Sequence, residues 1–393
     1  MKFKVDKFSA NELKQAYLDS VNLIVEKYVD GDFETSITKD LPTILAGESH
    51  TFTLPDEFFK GEGEIAITLH YCLNKETPYA GFGHEVANAQ FVFGKWKKTR
   101  DKQNGEISVD NKNDVIIVNT VIGSYTFDKK SGGVSILDNN GKAITKSPIM
   151  PQFWRAMTNN DRYPPNNIAD LCKLLNLDAY RKAMKRLKAV SVKGEFDDDC
   201  YEVEVKWSMP LITSLKTKYV VSKDGSLKAK MSLLPWRNLV RFGFEFATES
   251  NIKNIEFYGN GPHENYCDRK TSALLSKYKG EAEDFNHEYL YPQANGNHTN
   301  TRFLKLGEEK GIEILMVKKP FEFSVSPYTT EMLDKSLHLH ELEKSGYYTI
   351  NVDGAQRGVG GDVPAMAMLK KPYKLPALKK YSFKVEINPF NKQ

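Results

Sequence analysis

Apolar and polar residues alternate with a period of two along most of this chain. A strand sends successive side chains to opposite faces, whereas a helix needs a period of 3.6, so the alternation commits the segments that carry it to sheet. Leu23-Ile24-Val25-Glu26-Lys27-Tyr28 reads as a strand entering the turn Asp30-Gly31. Further strands read at His50–Leu54, stopped by Pro55, at Glu64–Tyr71 and at Ala89–Phe93. Short strands with turn signals over about a hundred residues predict a small sandwich. Residues 94–106 are polar and charged and read as a linker. Beyond them Val115–Val118, Ser124–Phe127 and Gly133–Leu137 form successive hairpins, and strand-like segments recur to Tyr381–Ile387. One helical stretch is expected near 168–189, where Leu171, Leu174, Leu175, Met184 and Leu187 fall at partly helical spacing on a surface helix. A β-domain of nearly 290 residues needs two broad sheets packed face to face.

At 393 residues the chain suits two or three domains, and 40% hydrophobic content gives each a core. A net charge of +4 without a long basic block gives no reason to expect a nucleic-acid or membrane partner. Cys72, Cys172, Cys200 and Cys267 are scattered without a C-x-x-C pair, so neither a zinc site nor a disulfide framework is expected. The opening Met1–Asp6 lacks an apolar signal core and no apolar run could span a bilayer. The expectation is a soluble cytoplasmic protein, in which the Asn297-His298-Thr299 sequon goes unused.

Four segments break the alternation and gather polar residues with Gly, Pro and aromatics: 153–163, 257–269, 291–302 and 351–362. Carbohydrate sites want this chemistry, because amides, carboxylates and guanidinium groups bond hydroxyls in pairs while rings cover the apolar side of a sugar. Asn, Asp, Gly and Pro are equally what turns are made of, and Arg155 with Asp161, or Asp268 with Arg269, would serve as structural ion pairs. Glu264 and Asp268 share one short loop, an unusual source for a glycosidase pair. His263, His298, His338 and His340 leave a mutarotase-type acid/base pair to be considered. Gly358-Val359-Gly360-Gly361 lacks the Lys-Ser/Thr sequel of a phosphate loop.

At these segments the chain resembles the C-terminal part of the family 2 β-galactosidases, glycoside hydrolases found in single-chain and split forms. Residues 153–163 match most of F-W-R-A-P-T-D-N-D-R-G, 261–269 match G-P-x-E-N-Y-x-D-R, 292–296 match P-Q-E-N-G at all but one position, and 351–362 match N-I-D-x-x-x-x-G-V-G-G-D with Val352 for Ile. Thr77–Phe91 is similar to the phrase T-P-W-A-x-x-G-H-E-V-A-W-x-Q-F of the preceding immunoglobulin-like domain. The resemblance implies an all-β chain: an immunoglobulin-like sandwich over 1–104 and a galactose-mutarotase-like supersandwich over 105–393. It also implies a non-catalytic part or small subunit. The two catalytic glutamates of the family belong to a (β/α)₈ barrel, and no such strand–helix alternation is present here. The implied partners are that barrel and a carbohydrate, with terminal β-galactosides such as lactose as substrate. Magnesium and sodium are expected in the barrel part and none in this chain. The carbohydrate-facing residues carried over are Arg155, Asn160, Asp161, Arg162, Glu264, Asn265, Asp268, Arg269, Asn295 and Asp362.

Several departures stand inside the phrases. Ala365 follows Val363-Pro364 where many members place a Trp, and Ala294 replaces the Glu of P-Q-E-N-G. Asn159 replaces an Asp, and Tyr163-Pro164-Pro165 follows where the family has Gly. Together they predict a retained fold with an altered or partly lost sugar site. A free-standing carbohydrate-binding module and a mutarotase-like epimerase are the other two readings.

Overall fold

A computed structural model describes residues 2–5, 20–45, 47–97, 105–162, 178–360 and 369–391. The chain divides into two compact units, one from the first 99 residues and one from nearly all that follow.

The first unit contains β1 (Lys2–Val5), β2 (Val21–Val29), β3 (Asp32–Asp40), β4 (His50–Thr53), β5 (Glu64–Leu73) and β6 (Glu85–Gly94). A β3-β2-β5-β6 sheet and an antiparallel β1–β4 ribbon form it. Val21, Leu23 and Val25 of β2 and Ile65, Ile67 and Leu69 of β5 face inward with Leu54 and Phe58. Lys27 occupies the next inward position of β2, and its ammonium donates to the carbonyls of Glu57 (3.0 Å) and Lys60 (2.6 Å). The Asp30-Gly31 turn has φ of 49° and 85°, the left-handed pair that a two-residue hairpin requires. β3 escaped the sequence reading because it is a mostly exposed edge strand with no apolar alternation to report.

The second unit contains β7 (Ser108–Asn111), β8 (Val115–Thr120), β9 (Gly123–Asp128), β10 (Val134–Leu137), β11 (Thr145–Gln152), β12 (Lys188–Asp197), β13 (Cys200–Met209), β14 (Ile212–Ser222), β15 (Leu227–Pro235), β16 (Arg241–Glu249), β17 (Asn254–Gly261), β18 (Leu274–Glu281), β19 (His298–Thr301), β20 (Phe303–Leu306), β21 (Lys310–Met316), β22 (Phe321–Ser326), β23 (Tyr347–Gln356) and β24 (Tyr381–Asn391). They form two nine-stranded sheets, β19-β22-β23-β16-β11-β10-β9-β8-β7 and β12-β13-β14-β15-β24-β21-β20-β17-β18. Inward-facing residues of both sheets build one core. An aromatic run crosses it: Phe127 against Tyr219 (5.5 Å), Tyr219 against Phe244 (6.4 Å) and Phe244 against Phe383 (6.1 Å). This is the sandwich-plus-supersandwich architecture that the resemblance implies.

Helix is confined to short pieces among the described residues: α1 (Asn159–Arg162), α2 (178–184) and α3 (Thr330–Lys335). The helix expected near 168–189 needs correction at its C-terminal end. Lys188 and Ala189 already belong to β12, where Val190 and Val192 favour extended backbone. Nor does α2 lie wholly at the surface, since Tyr180 and Ala183 enter the core. Residues 168–177 of that expectation lie outside the described residues. Arg181 of α2 pairs with Asp334 of α3 (3.0 Å), and Asp334 accepts from the Met157 amide (3.2 Å). The loop after β11 is thereby anchored from outside.

Candidate functional site

Strands β16, β22 and β23 have two unlike faces. One carries Phe244, Phe246, Phe323, Val325, Ile350 and Val352 into the core. The other carries Arg241 and Glu245 of β16, Glu322, Ser324 and Ser326 of β22, and Thr349, Asn351 and Asp353 of β23. Register sets Asp353 opposite Gly243 and Glu322, and Asn351 opposite Glu245 and Ser324. Alternation alone sends such a polar face to water. Here much of it is covered, and Arg241, Ser324, Thr349, Asn351 and Asp353 are all buried. The four sequence-marked loops gather beside this face.

The first loop supplies Arg155, which follows the buried pair Phe153-Trp154 and is itself fully buried. Its guanidinium donates to the carbonyls of Arg357 (2.8 Å) and Gly358 (3.1 Å) and pairs with Asp161 (3.3 Å). Asp161 also accepts from the Thr158 amide (3.3 Å). Asn160 donates to the Val359 carbonyl (2.6 Å). Arg155 and Asp161 are therefore a loop-tying ion pair, one of the two readings their residue types allowed. The backbone of Arg162 closes α1, and Asp362 lies outside the described residues.

The second and third loops meet at Glu264. Its carboxylate accepts from Arg269, from the Tyr289 hydroxyl, and from the Gly296 amide (2.8 Å). Burial, then the hydrogen bond to Glu264, pushes the Tyr289 hydroxyl above the usual phenol range. Asn265 is fully buried and donates to the carbonyls of Asn260 (2.9 Å) and His263 (3.0 Å) while accepting from Thr299 N (2.9 Å) and Oγ1 (2.6 Å). All four of its hydrogen-bonding positions are thus used inside the fold. Asp268 accepts from the amides of Val359 (3.1 Å) and Gly360 (2.9 Å). Gly358 makes that approach possible, because a Cβ there would stand 2.2 Å from an Asp268 oxygen. Asn295 donates to the Gln293 carbonyl (3.0 Å) and accepts from the His287 amide (3.0 Å), which shapes its own loop. Glu264 and Asp268 are held by separate donor sets.

Beneath the loops runs a network that the selection of site residues left out, although Asn297, Asn351, Asp353 and Gln356 lie inside the marked segments and only Arg241 and Glu322 lie outside them. Asn297 donates to Glu322 (3.0 Å) and accepts from Gln356 (2.8 Å), which donates on to Asp353 (3.2 Å). Arg241 pairs with Asp353 (2.7 Å) and donates to Asn351 (3.1 Å). Burial, reinforced by the Asp353 charge, pushes the Glu322 carboxyl up to about 7, and burial pushes Asp353 up to about 6. The available signal was Arg241-Phe-Gly-Phe-Glu245, where two charges share one face of an otherwise aromatic strand.

An open cavity of about 170 Å³ lies over the convergence, lined by Thr158, Asn159, Asn160, Tyr266, Arg269, Tyr289, Gln293, Ala294 and Val359. A smaller, deeper one is lined by Arg155, Arg241, Asn297, Asn351 and Gln356 among others. Tyr266 and Ala294 border both. The family's glutamate position thus stands, as alanine, in the wall between them. Tyr266, Tyr289 and Gln293 are wall residues that the site prediction omitted.

The histidines do not gather. His298 is buried among Phe257, Phe285 and Phe323, with its nitrogens facing the carbonyls of Gly296 (3.0 Å) and Pro262 (3.1 Å), and burial holds its pKa below the usual range. His263 bonds Ser272 (2.9 Å), while His338 and His340 stack on each other. Among the described residues no group of three or more His, Cys, Asp or Glu is placed to hold a metal ion.

Residues 122–387 match the family model of the beta-galactosidase small chain, and residues 10–94 match that of beta-galactosidase domain 4. A beta-galactosidase of Halalkalibacterium halodurans is 31% identical over 338 residues, which cover 83% of this chain and 32% of that protein. One of Priestia megaterium is 30% identical over 334 residues, with the same 83% and 32% coverage. The chain thus spans about a third of the length of these curated relatives. Among solved structures, a galactose 1-epimerase from Lactobacillus acidophilus aligns with 73% of this chain and 99% of its own at 8% identity and a TM-score of 0.42. With the small-chain model matched across most of its length and all four phrases meeting at one place in the fold, the chain belongs to the β-galactosidase small-chain family.

Proposed function

We propose that this chain is the non-catalytic C-terminal part or small subunit of a β-galactosidase, completing a sugar site whose reacting groups come from a (β/α)₈-barrel partner. The convergence of four separated phrases around the 170 Å³ cavity carries this reading. Its walls offer tyrosine rings, amides and a guanidinium, which suit the apolar face and the hydroxyls of a sugar. Glycoside hydrolysis needs two carboxyls flanking the scissile bond, about 5–5.5 Å or about 6.5–9.5 Å apart. Asp161, Glu264 and Asp268 are instead tied to the chain's own donors. The contribution is therefore positional: groups remote from the reacting bond orient the substrate and raise turnover without touching the chemistry. Terminal β-galactosides such as lactose are the substrate class, with Ala294 leaving the cavity wall smaller where the family phrase P-Q-E-N-G has a glutamate.

A partner is further supported by the first unit. Tyr79 and Phe82 on the β5–β6 connection, with Val86, Phe91 and Val92 on edge strand β6, leave apolar surface exposed. Phe91 and Val92 point to opposite faces of the strand, so exposed apolar side chains are offered to a partner on both sides of β6. Magnesium and sodium are assigned to the barrel part. The free thiols of Cys72, Cys200 and Cys267 suit a reducing cytoplasm.

The test is hydrolysis of a chromogenic β-galactoside by the purified chain, alone and mixed with a family 2 barrel subunit from the same source. The expected result is turnover in the mixture only. Silence in both, with a folded chain and a competent barrel, overturns the reading.

A further inference from the structure

Two opposite ends of the second nine-stranded sheet carry opposite charge, and each adds exposed apolar surface. The register places Cys200 beside Ser222 at one end of β13 and β14, and Ile212 beside Pro235 at the other. The eleven residues of β14 separate these ends by roughly 35 Å.

At the Pro235 end, residues 235–239 and 375–378 are tied side by side. Leu378 N bonds the Pro235 carbonyl (2.7 Å), Ala377 N bonds the Asn238 side chain (2.9 Å), and Leu239 N bonds the Leu375 carbonyl (2.9 Å). The two segments with their flanks contain Arg237, Lys370, Lys371, Lys374, Lys379 and Lys380 and no acidic residue. These six charges exceed the +4 of the whole chain, so the basic character is local. Trp236 is 53% exposed, with the Arg237 guanidinium 5.6 Å from its ring centre, and Leu378 is 76% exposed. Leu378 holds a left-handed φ of 59°, a conformation that branched apolar residues rarely adopt. An apolar centre containing Trp within a charged rim is the make-up of a protein-binding hot spot.

At the other end, the β12–β13 turn presents Glu195, Asp197, Asp198 and Asp199, all exposed, around Phe196 at 61% exposure. Lys223 pairs with Asp199. Glu195 and Asp198 make no ion pair among the described residues. β12 is also the outer strand of its sheet, with Val190 exposed at 62%.

We propose that the chain self-associates head to tail, the basic Trp236–Leu378 end of one copy docking on the acidic Phe196 turn of the next. Complementary patches at opposite ends of one rigid sheet cannot satisfy each other within a copy. Between copies they form a heterologous contact, which builds rings or open chains rather than a two-fold dimer. Charge steers the encounter, so the contact weakens as salt screens it.

The test is sedimentation velocity of the full chain over a wide concentration range, at about 0.05 M and about 0.5 M salt. Wild type is expected to associate at low salt and to revert towards monomer at high salt. Lys379→Glu with Lys380→Glu lowers the basic end from +6 to +2, and Glu195→Lys with Asp197→Lys, both at extended positions of β12, takes the four carboxylates of the turn from −4 to 0. Each pair of substitutions, being at exposed sites, should leave the thermal melt unchanged and weaken self-association more than about tenfold. Mixing the two variants should restore association. A wild-type chain that stays monomeric at low salt overturns the proposal. So does a folded pair of variants that fail to associate when mixed, or that self-associate as wild type does; binding of the basic end only to some other acidic protein would appear as the first of these.

Discussion

Arg155 shows how one residue type can be read two ways until its neighbours are known. A guanidinium in a polar loop could face a sugar or hold the loop together. Its donors go to Asp161 and to two carbonyls some two hundred residues away, and it has no exposure left. Removing it strips a buried carboxylate and two buried carbonyls of their donor. Arg155→Ala should therefore destabilise the second unit by about 3–5 kcal/mol in urea unfolding. Asn295→Ala, which loses bonds within a single surface loop, should cost about 1 kcal/mol or less. Equal losses would mean that the Arg155 cluster is no more than a surface tie. The same reasoning separates Asn265, wholly used inside the fold, from Tyr266 and Arg269, which reach the cavity.

At the scale of the element, the loop after β23 depends on a close approach that only glycine permits. The Asp268 carboxylate caps two successive amides, at Val359 and Gly360, and an added Cβ at Gly358 would collide with it. Gly358→Ala is expected to expel Asp268 from this position, raising amide hydrogen exchange at Val359 and Gly360 while the β23 ladder stays protected. The cost should be about 1–3 kcal/mol. Unchanged exchange at both amides would show that the loop does not need the carboxylate. Strands were largely legible because alternation is a local property; β3 was missed because Phe33 and Ile37 alone are too sparse to mark an apolar face on a mostly exposed edge strand. The buried polar face of β16, β22 and β23 was illegible for a related reason. Its period is that of any strand with one wet face, and the loops that cover it come from distant parts of the chain.

For the whole molecule, the network below the cavity gives stability a pH dependence of definite sign. Glu322 and Asp353 have folded pKa values raised above their ordinary values, to about 7 and about 6. The folded state holds these protons more tightly than the unfolded chain does. Their contribution is fully present below about pH 4 and is lost as pH rises through about 6 to 7. His298, with its pKa lowered, acts oppositely as pH falls below its ordinary value near 6.5, so the bare profile mixes two effects. Glu322→Gln isolates one of them while keeping an acceptor for Asn297. The variant should gain on wild type between pH 5 and pH 8 by on the order of 2 kcal/mol, allowing for partial exposure of the carboxyl. A difference that does not change with pH would mean that Glu322 titrates normally.

What the sequence by itself determined is the local order. Period-two runs, the Asp30-Gly31 turn and the four loop phrases are carried by neighbouring residues, and the phrases were enough to indicate the family. What only the tertiary structure decided is which polar groups are occupied by the fold and which remain for a ligand. Arg155 reaches Gly358, Asp268 reaches Gly360, and Asn265 reaches Thr299 across 30 to 200 residues of chain. Turn-forming and sugar-binding residues have the same donors and acceptors, so composition cannot separate them. Burial can, because a polar group removed from water must find its partner inside the protein.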